Sequence, residues 1–289
     1  MSTRLLISVC LLFSITLAAS QDSTGAKRHF SHQGMYNFNG MYTQFDNWVQ
    51  GGKTNFNTSV LLREQIKVEG AKRTGRHLIQ LNYGTNFQDG RWDKTIDKLQ
   101  YNVNFSKGGA DDTRWVRLSS QLEFNTQAMP GYLPNDSLKT KIISDFGAPL
   151  YTQLSLGLVS NKFENWSFFF SPLGSKTTIV LDSAIRAEGQ YGLDTANFSL
   201  VEGGANATLS FNNTYWKSLR IIVRSDFFYG YFDETASVDV RGELIAYYRL
   251  GKMLTLNGGF QFIRDIDASP DWQYRSNIGL GITLNHVKR

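Results

Sequence analysis

The sequence predicts an all-β fold, a closed antiparallel up-and-down transmembrane β-barrel of about twelve strands. Three observations point there. First, residues 219–231 alternate, with Leu219, Ile221, Val223, Ser225, Phe227, Tyr229 and Tyr231 on one phase and Arg220, Ile222, Arg224, Asp226, Phe228 and Gly230 on the other. Period two sends these sets to opposite faces of a strand. Second, similar segments recur at lengths of about 12–15 residues, enough for a tilted span of 9–11 and well above the usual five or six. Third, the polar phase is rich in Asn, Gln, Gly and Ser and poor in Lys and Glu, which suits a wet lumen better than a surface in bulk water. A soluble sandwich or lipocalin-like barrel also alternates. Strand length and this polar set favour the membrane.

The elements follow in order. Residues 1–20 read as a signal peptide: Arg4, an apolar core from Leu5 to Leu17, then small residues at Ala18, Ala19 and Ser20. Cys10, the only cysteine, lies inside that core, so neither lipidation nor a disulfide is expected. Residues 21–33 read as a periplasmic lead-in and 34–289 as the barrel. The first strands are 34–45, with Tyr36, Phe38 and Tyr42 in phase, and 54–68, where Glu64 breaks an apolar phase opposite Arg63, Gln65 and Lys67. Next come 76–88, 95–106 and 114–126. Segment 142–159 is interrupted by Pro149, which calls for a bulge or a late start. Segment 165–180 loses its alternation around Ser171-Pro172-Leu173-Gly174. The rest are 198–211, 219–231, 237–250, 252–263 and 272–284. Links 46–53, 88–94, 127–141, 181–197, 232–236 and 264–271 fall at one end. They include the longest, as outer loops do.

The tryptophans sort the same way. Trp115, Trp166 and Trp216 fall at the short-turn end and Trp48, Trp92 and Trp272 at the long-loop end, the placement of two aromatic girdles. Charged residues are only 19%, below the usual quarter, and prolines number 5. A formal charge of +5 without a Lys/Arg run gives no reason to expect nucleic acid.

Several motifs carry a resemblance: Trp48-Val49-Gln50-Gly51-Gly52 with Asn55, Leu81-Asn82-Tyr83-Gly84, Lys94 and Asp97, and Phe124-Asn125-Thr126-Gln127 before Gly131-Tyr132. So do Ile143-Ser144-Asp145-Phe146 before Ala148-Pro149, Ser171-Pro172-Leu173, and Gly189 with Tyr191-Gly192. Together these resemble a Bacteroidota family of outer-membrane β-barrels of unknown function. The resemblance implies the outer membrane of a Gram-negative bacterium and brings no activity. One departure is the end of the chain: Asn285-His286-Val287-Lys288-Arg289 replaces a terminal aromatic, so Leu284 is expected to close the last strand.

The expected lumen phase carries Arg63, Lys67, Lys98, Arg117, Glu123, Arg220, Arg224, Asp226, Asp239, Arg241, Glu243 and Arg249. Two readings stand: a neutralising network that fills a narrow barrel, or a cationic constriction that selects anions. The first function expected is therefore a narrow, anion-leaning channel in outer-membrane lipid. The alternative is a non-enzymatic structural or interaction barrel that meets envelope proteins through loops 127–141 and 181–197. No enzyme is expected. A membrane lipid hydrolase would want its base at the outer rim, whereas His77 falls at the short-turn end. Of the four histidines, His29, His32 and His286 lie near the ends of the chain, and no ligand spacing suggests a metal or cofactor. The triplets starting at Asp136, Asp182 and Asp194 resemble Bacteroidota O-glycosylation sites.

Overall fold

The computed structural model describes residues 29–43, 55–109, 112–133, 136, 138–189, 191, 193, 195–232, 237–266 and 269–288. The strands are β1 (His29–Thr43), β2 (Asn55–Glu69), β3 (Arg73–Gln88), β4 (Arg91–Lys107), β5 (Val116–Thr126), β6 (Gly131–Tyr132), β7 (Ile142–Ser144), β8 (Leu150–Ser160), β9 (Trp166–Ile179), β10 (Ser199–Tyr215), β11 (Leu219–Gly230), β12 (Val238–Arg249), β13 (Leu254–Asp265) and β14 (Ser269–Lys288). One short helix, α1 (Ser183–Ala187), lies between β9 and β10. All strands except the β6–β7 hairpin form one closed antiparallel barrel, in which β5 pairs with β8 and β14 pairs with β1. Closure gives every barrel strand two neighbours.

Strand ends differ from the sequence expectation where pairing partners, not local pattern, decide them. β1 begins at His29, so residues 29–33 belong to the barrel and not to a lead-in. β14 runs to Lys288 and not to Leu284. The two extend together because each supplies the other's ladder, His32 opposite Lys288 and Gly34 opposite His286. The 88–94 link shrinks to Asp89-Gly90, whose φ values of 54° and 76° suit the two-residue type I′ hairpin that this dipeptide favours. β13 reaches Asp265, which was expected in a link. Segment 142–159 divides: Pro149 has no N–H to give the ladder, β8 starts after it, and Ile142–Ser144 joins the side hairpin instead. The motif Trp48 to Gly52 and the girdle residue Trp48 lie outside the described residues.

β9 is a single strand with a bulge at Ser171-Pro172, seen as register shifts against both neighbours. The Ser171 hydroxyl, with one proton to donate, lies 2.8 Å from the Leu156 carbonyl and 2.7 Å from that of Leu173, and accepts from the Leu173 N–H (3.2 Å). It bridges backbone groups around the proline. Beyond the bulge the parity of β9 reverses: Phe169 and Ser171 are buried before it, Lys176 and Thr178 after it.

Burial is inverted relative to a water-soluble fold. The interior holds Asn37, Gln80, Asn102, Ser119, Ser155, Asn206 and Asn257. Outside stand Leu154, Leu156, Phe168, Phe170, Leu256, Leu280 and, at 73% exposure, Ile278. Soluble monomers rarely leave so much contiguous apolar surface uncovered. Inside, Met35, Leu61, Ile222, Ile245 and Tyr247 form one apolar cluster. A second, of Ala148, Val180, Ile185 and Leu193, packs between the links at the end remote from the start of β1 and the end of β14. We call this the loop end and its opposite the terminal end.

The Ser171→Ala substitution tests the bulge. It is expected to cost about 1–2 kcal/mol by leaving buried backbone groups without their partner. Urea unfolding from detergent micelles measures it, and an unchanged midpoint would mean that the hydroxyl is not what holds the bulge.

Candidate functional site, the charged lumen

The inward phases of β2, β4, β5, β11 and β12 set most of the charged residues into one interior. On β11, Arg220, Arg224 and Asp226 stand beside Tyr247, Glu243 and Arg241 of β12. Arg224 Nε donates to Asp226 Oδ2 at 2.7 Å on its own strand. Its Nη2 also crosses the lumen to Glu123 Oε2 on β5, again at 2.7 Å. Glu243 is reached across the lumen by Lys98 Nζ on β4 at 3.2 Å. Arg241 lies 4.0 Å from Glu123 and sits over the Tyr151 ring. Thr208 donates to Asp226 at 2.7 Å. These bridges join opposite walls, and in a low-dielectric interior each charge needs such a partner.

A second knot lies nearer the loop end. Lys176 Nζ is 2.5 Å from Asp239, 3.2 Å from Glu202 and 3.6 Å from Asp265. Sequence reading placed Asp239 in the lumen but not Lys176, because the Pro172 bulge shifts β9 to the other parity. Glu202 and Asp265 were not singled out, the first for want of a phase for β10 and the second for a strand end set too early.

The remaining cations gather toward the terminal end. Arg63 donates to Gln80 at 2.6 Å, and Arg220 to Asn212 at 3.2 Å. Arg249 lines the mouth with Arg63, Lys217 and Arg220, around a cavity of about 200 Å³ whose lining includes no Asp or Glu. Arg117 takes the inward phase at the start of β5, between the exposed Val116 and Leu118. Arg76, which the sequence reading did not single out, lines a larger cavity of about 480 Å³ with Arg63 and Arg224. The loop-end half is far fuller: cavities there measure about 50 Å³ beside Glu123, Asp226, Asp239 and Lys176, and about 40 Å³ beside Glu243 and Arg275. The larger cavities thus lie toward the terminal end, and on their loop side ion pairs cross the lumen.

The loop end carries a further built feature. Lys94 Nζ reaches Asp97 (3.0 Å), Gln127 (2.6 Å) and the Met129 carbonyl (2.7 Å). Asp97 in turn accepts the Ala128 and Met129 N–H groups at 2.8 and 2.9 Å, and Ser144 donates to Gln127 at 2.7 Å. A Cβ on Gly131 would meet Ser144 Oγ at 2.3 Å. Tyr191 donates to the Ile143 carbonyl at 2.7 Å, and burial raises its phenol pKa. Residues from several of the motifs quoted above therefore meet in one fastening, which holds link 127–149 to the rim of β4. Asp136 accepts the Lys141 N–H at 2.8 Å, which lowers its pKa. Asp182 caps α1, accepting from Ala184 and Ile185. Ser137 and Asp194 of the glycosylation-like triplets lie outside the described residues.

The tryptophans in the described residues stand at strand ends and are exposed: Trp115, Trp166 and Trp216 at the terminal end, Trp92 and Trp272 at the loop end. His77 Nδ1 lies 3.1 Å from the Tyr101 hydroxyl. His32 approaches Glu64 and His286.

The family model described as Protein of unknown function (DUF3078) matches residues 41–132. No curated protein matches the chain in sequence. Among solved structures, the chain is similar to an outer-membrane channel from Pseudomonas putida F1, at 11% identity, TM-score 0.41, over 93% of this chain and 99% of that one. It is also similar to the translocator domain of the autotransporter NalP from Neisseria meningitidis, at 13% identity, TM-score 0.34, over 98% and 95%. A third is the outer-membrane phospholipase A of Escherichia coli, at 10% identity, TM-score 0.34, over 91% and 93%. Likenesses of this size carry no functional inference.

Lys176→Met leaves Asp239, Glu202 and Asp265 crowded without their shared cation. We expect a loss of about 3–5 kcal/mol, the usual consequence of orphaning a buried charge, read by urea unfolding in micelles. A loss below about 1 kcal/mol, typical of exposed pairs, would mean that water already screens this knot.

Proposed function

We propose that the protein is an outer-membrane β-barrel of the Bacteroidota type, exported by residues 1–20, whose lumen is a narrow, anion-leaning channel with its wide mouth on the periplasmic side. The observation that carries this reading is the asymmetry of the lumen. Its terminal-end mouth has Arg63, Lys217, Arg220 and Arg249 around a cavity with no carboxylate in its lining, while Glu123, Glu243 and Asp239 sit deeper and are paired. An anion entering there meets guanidinium donors first, and charged rings of this kind set selectivity in pores. The cross-lumen bridges Arg224–Glu123 and Lys98–Glu243 then form the constriction, so unit conductance is low.

Membrane insertion is supported by the outward apolar face and by one turn. Trp216 and Lys217 both hold positive φ, 49° and 60°, between β10 and β11. A left-handed conformation costs such residues about 1–2 kcal/mol each. Trp216 is 82% exposed, so protein contacts do little to offset that cost. An indole at a membrane interface would gain what the turn loses.

A second reading is favoured by the loop end, where Leu138 is 84% exposed and Leu181 and Phe146 are also uncovered. These would suit an apolar patch on an envelope partner, and in that case the barrel is a subunit and no conduit. We read no catalysis into the chain.

Reversal potentials across planar bilayers in a salt gradient test the channel. The account expects small anion-selective currents, a weaker preference in the Arg63→Gln/Arg220→Gln/Arg249→Gln variant, and larger currents once Glu123→Gln/Arg224→Gln removes the cross-lumen bridge. Folded protein that stays silent in all three forms would overturn the channel and leave the partner reading.

A further inference from the structure

Gly34 of β1 pairs with Glu64 of β2 on one side and with His286 of β14 on the other, so the three stand in one row across the seam where the barrel closes. His32 lies two residues before Gly34 and Tyr36 two after, on the same face. That face is the outward one: Met35 and Asn37, on the opposite phase, are buried in the interior, while Phe38, Ile282 and Leu284 share the outward phase and are exposed. Four polar side chains therefore surround a glycine floor on a surface that is otherwise apolar.

The floor has to be glycine. A Cβ at residue 34 would meet the His286 ring at 2.0 Å and Glu64 Oε1 at 2.9 Å. His32 Nε2 is 2.5 Å from Glu64 Oε2, and its Nδ1 is 3.4 Å from His286 Nε2. The two imidazoles meet edge to face at 4.6 Å between centroids. One ligand atom from each of His32, Glu64 and His286 falls within 4.8 Å of the others. The Tyr36 hydroxyl donates to Oε1, the other oxygen of Glu64, and its ring stacks on His286. The cluster is only partly buried and lies at the terminal end, since β13 starts at Leu254, opposite Ile282, and leaves His286 beyond it.

Ionisable groups on a lipid-facing phase are costly unless something neutralises them. Two imidazole nitrogens and one carboxylate oxygen are a ligand set for a divalent first-row ion, zinc above all, with a fourth position left to water. A hydroxyl that holds the second carboxylate oxygen is the usual outer support of such a site. We propose that His32, Glu64 and His286 bind one zinc-class divalent ion on the outer surface of the barrel, clipping β14, β1 and β2 together at the closing seam. The ion takes the place of the direct hydrogen bond between His32 and Glu64. The site is independent of whether the lumen conducts.

The test uses the full chain folded in detergent micelles and stripped with chelator. Titration with Zn²⁺ is followed by calorimetry, and with Co²⁺ by visible absorption. The proposal expects one ion per chain, the intense visible bands of four-coordinate Co²⁺, and a higher unfolding temperature of the folded band on gels with Zn²⁺ than with chelator. His286→Gln and Glu64→Gln should each abolish stoichiometric binding, and Tyr36→Phe should weaken it about 10–100-fold. His29→Gln, outside the row, should change nothing. If a ligand variant fails to fold, Gly34→Ala and Tyr36→Phe decide, since both keep all three ligand residues and both should weaken binding, the first by displacing the His286 ring. Binding that is absent, or that survives His286→Gln and Glu64→Gln, would overturn the proposal.

Discussion

Closure of the backbone ladder is the constraint from which the rest of this structure follows. A strand in an apolar medium has no water to satisfy its N–H and C=O groups, so each must find both neighbours in the same chain. The first strand must therefore meet the last, and Gly34 comes to lie between Glu64 and His286, residues far apart in sequence. Closure also fixes parity. Once one face of β11 points out, every neighbouring strand inherits its facing through the register, and polar side chains on the other phase are forced into a shared interior.

That interior is too narrow for charges to remain solvated and too polar to be a core. The structure meets the difficulty with bridges between facing walls, Arg224 to Glu123 and Lys98 to Glu243, and with one lysine among three acids at Lys176. Acid and base are not spread evenly. Glu123, Glu243 and Asp239 lie in paired positions deep in the lumen, and the mouth beside Arg249 is lined by arginines and Lys217. Of the two sequence alternatives, a neutralising network and a cationic constriction, the bridges across the lumen are of the first kind, and the arginines whose cavity has no carboxylate in its lining stand at the mouth instead.

What the sequence made legible was whatever depends on local period. The alternation of β11 and β12 assigned Arg220, Arg224, Asp226, Asp239, Arg241 and Glu243 to one face without any tertiary information. What stayed hidden depends on closure or on parity changes. Lys176 was missed because Pro172 inserts a bulge that reverses the phase of everything after it in β9. Strand pairing alone offers Arg224 the facing Glu243 of β12, whereas the barrel adds Glu123 from across the lumen. The expected ends of β1 and β14 were short because neither segment shows, by itself, that the other will pair with it. His286, seen as a residue near an end, is in fact part of a seam. Glu64 looked like a flaw in an apolar phase, and its partners are His32 and Tyr36 on the neighbouring strand β1.

The central claim is that the apolar phase faces lipid and the charged phase a lumen. With the lone cysteine, Cys10, replaced by serine, single cysteines can be placed along β11 and spin-labelled one at a time in protein reconstituted into lipid vesicles. Collisional relaxation by oxygen, which concentrates in lipid, and by a water-soluble nickel chelate then reads the surroundings of each label. The account predicts a strict alternation: oxygen dominates at 221, 223 and 227, and loses that dominance at 222, 224 and 226. Labels at 221, 223 and 227 that prefer the nickel chelate, or a profile without period two, would contradict it.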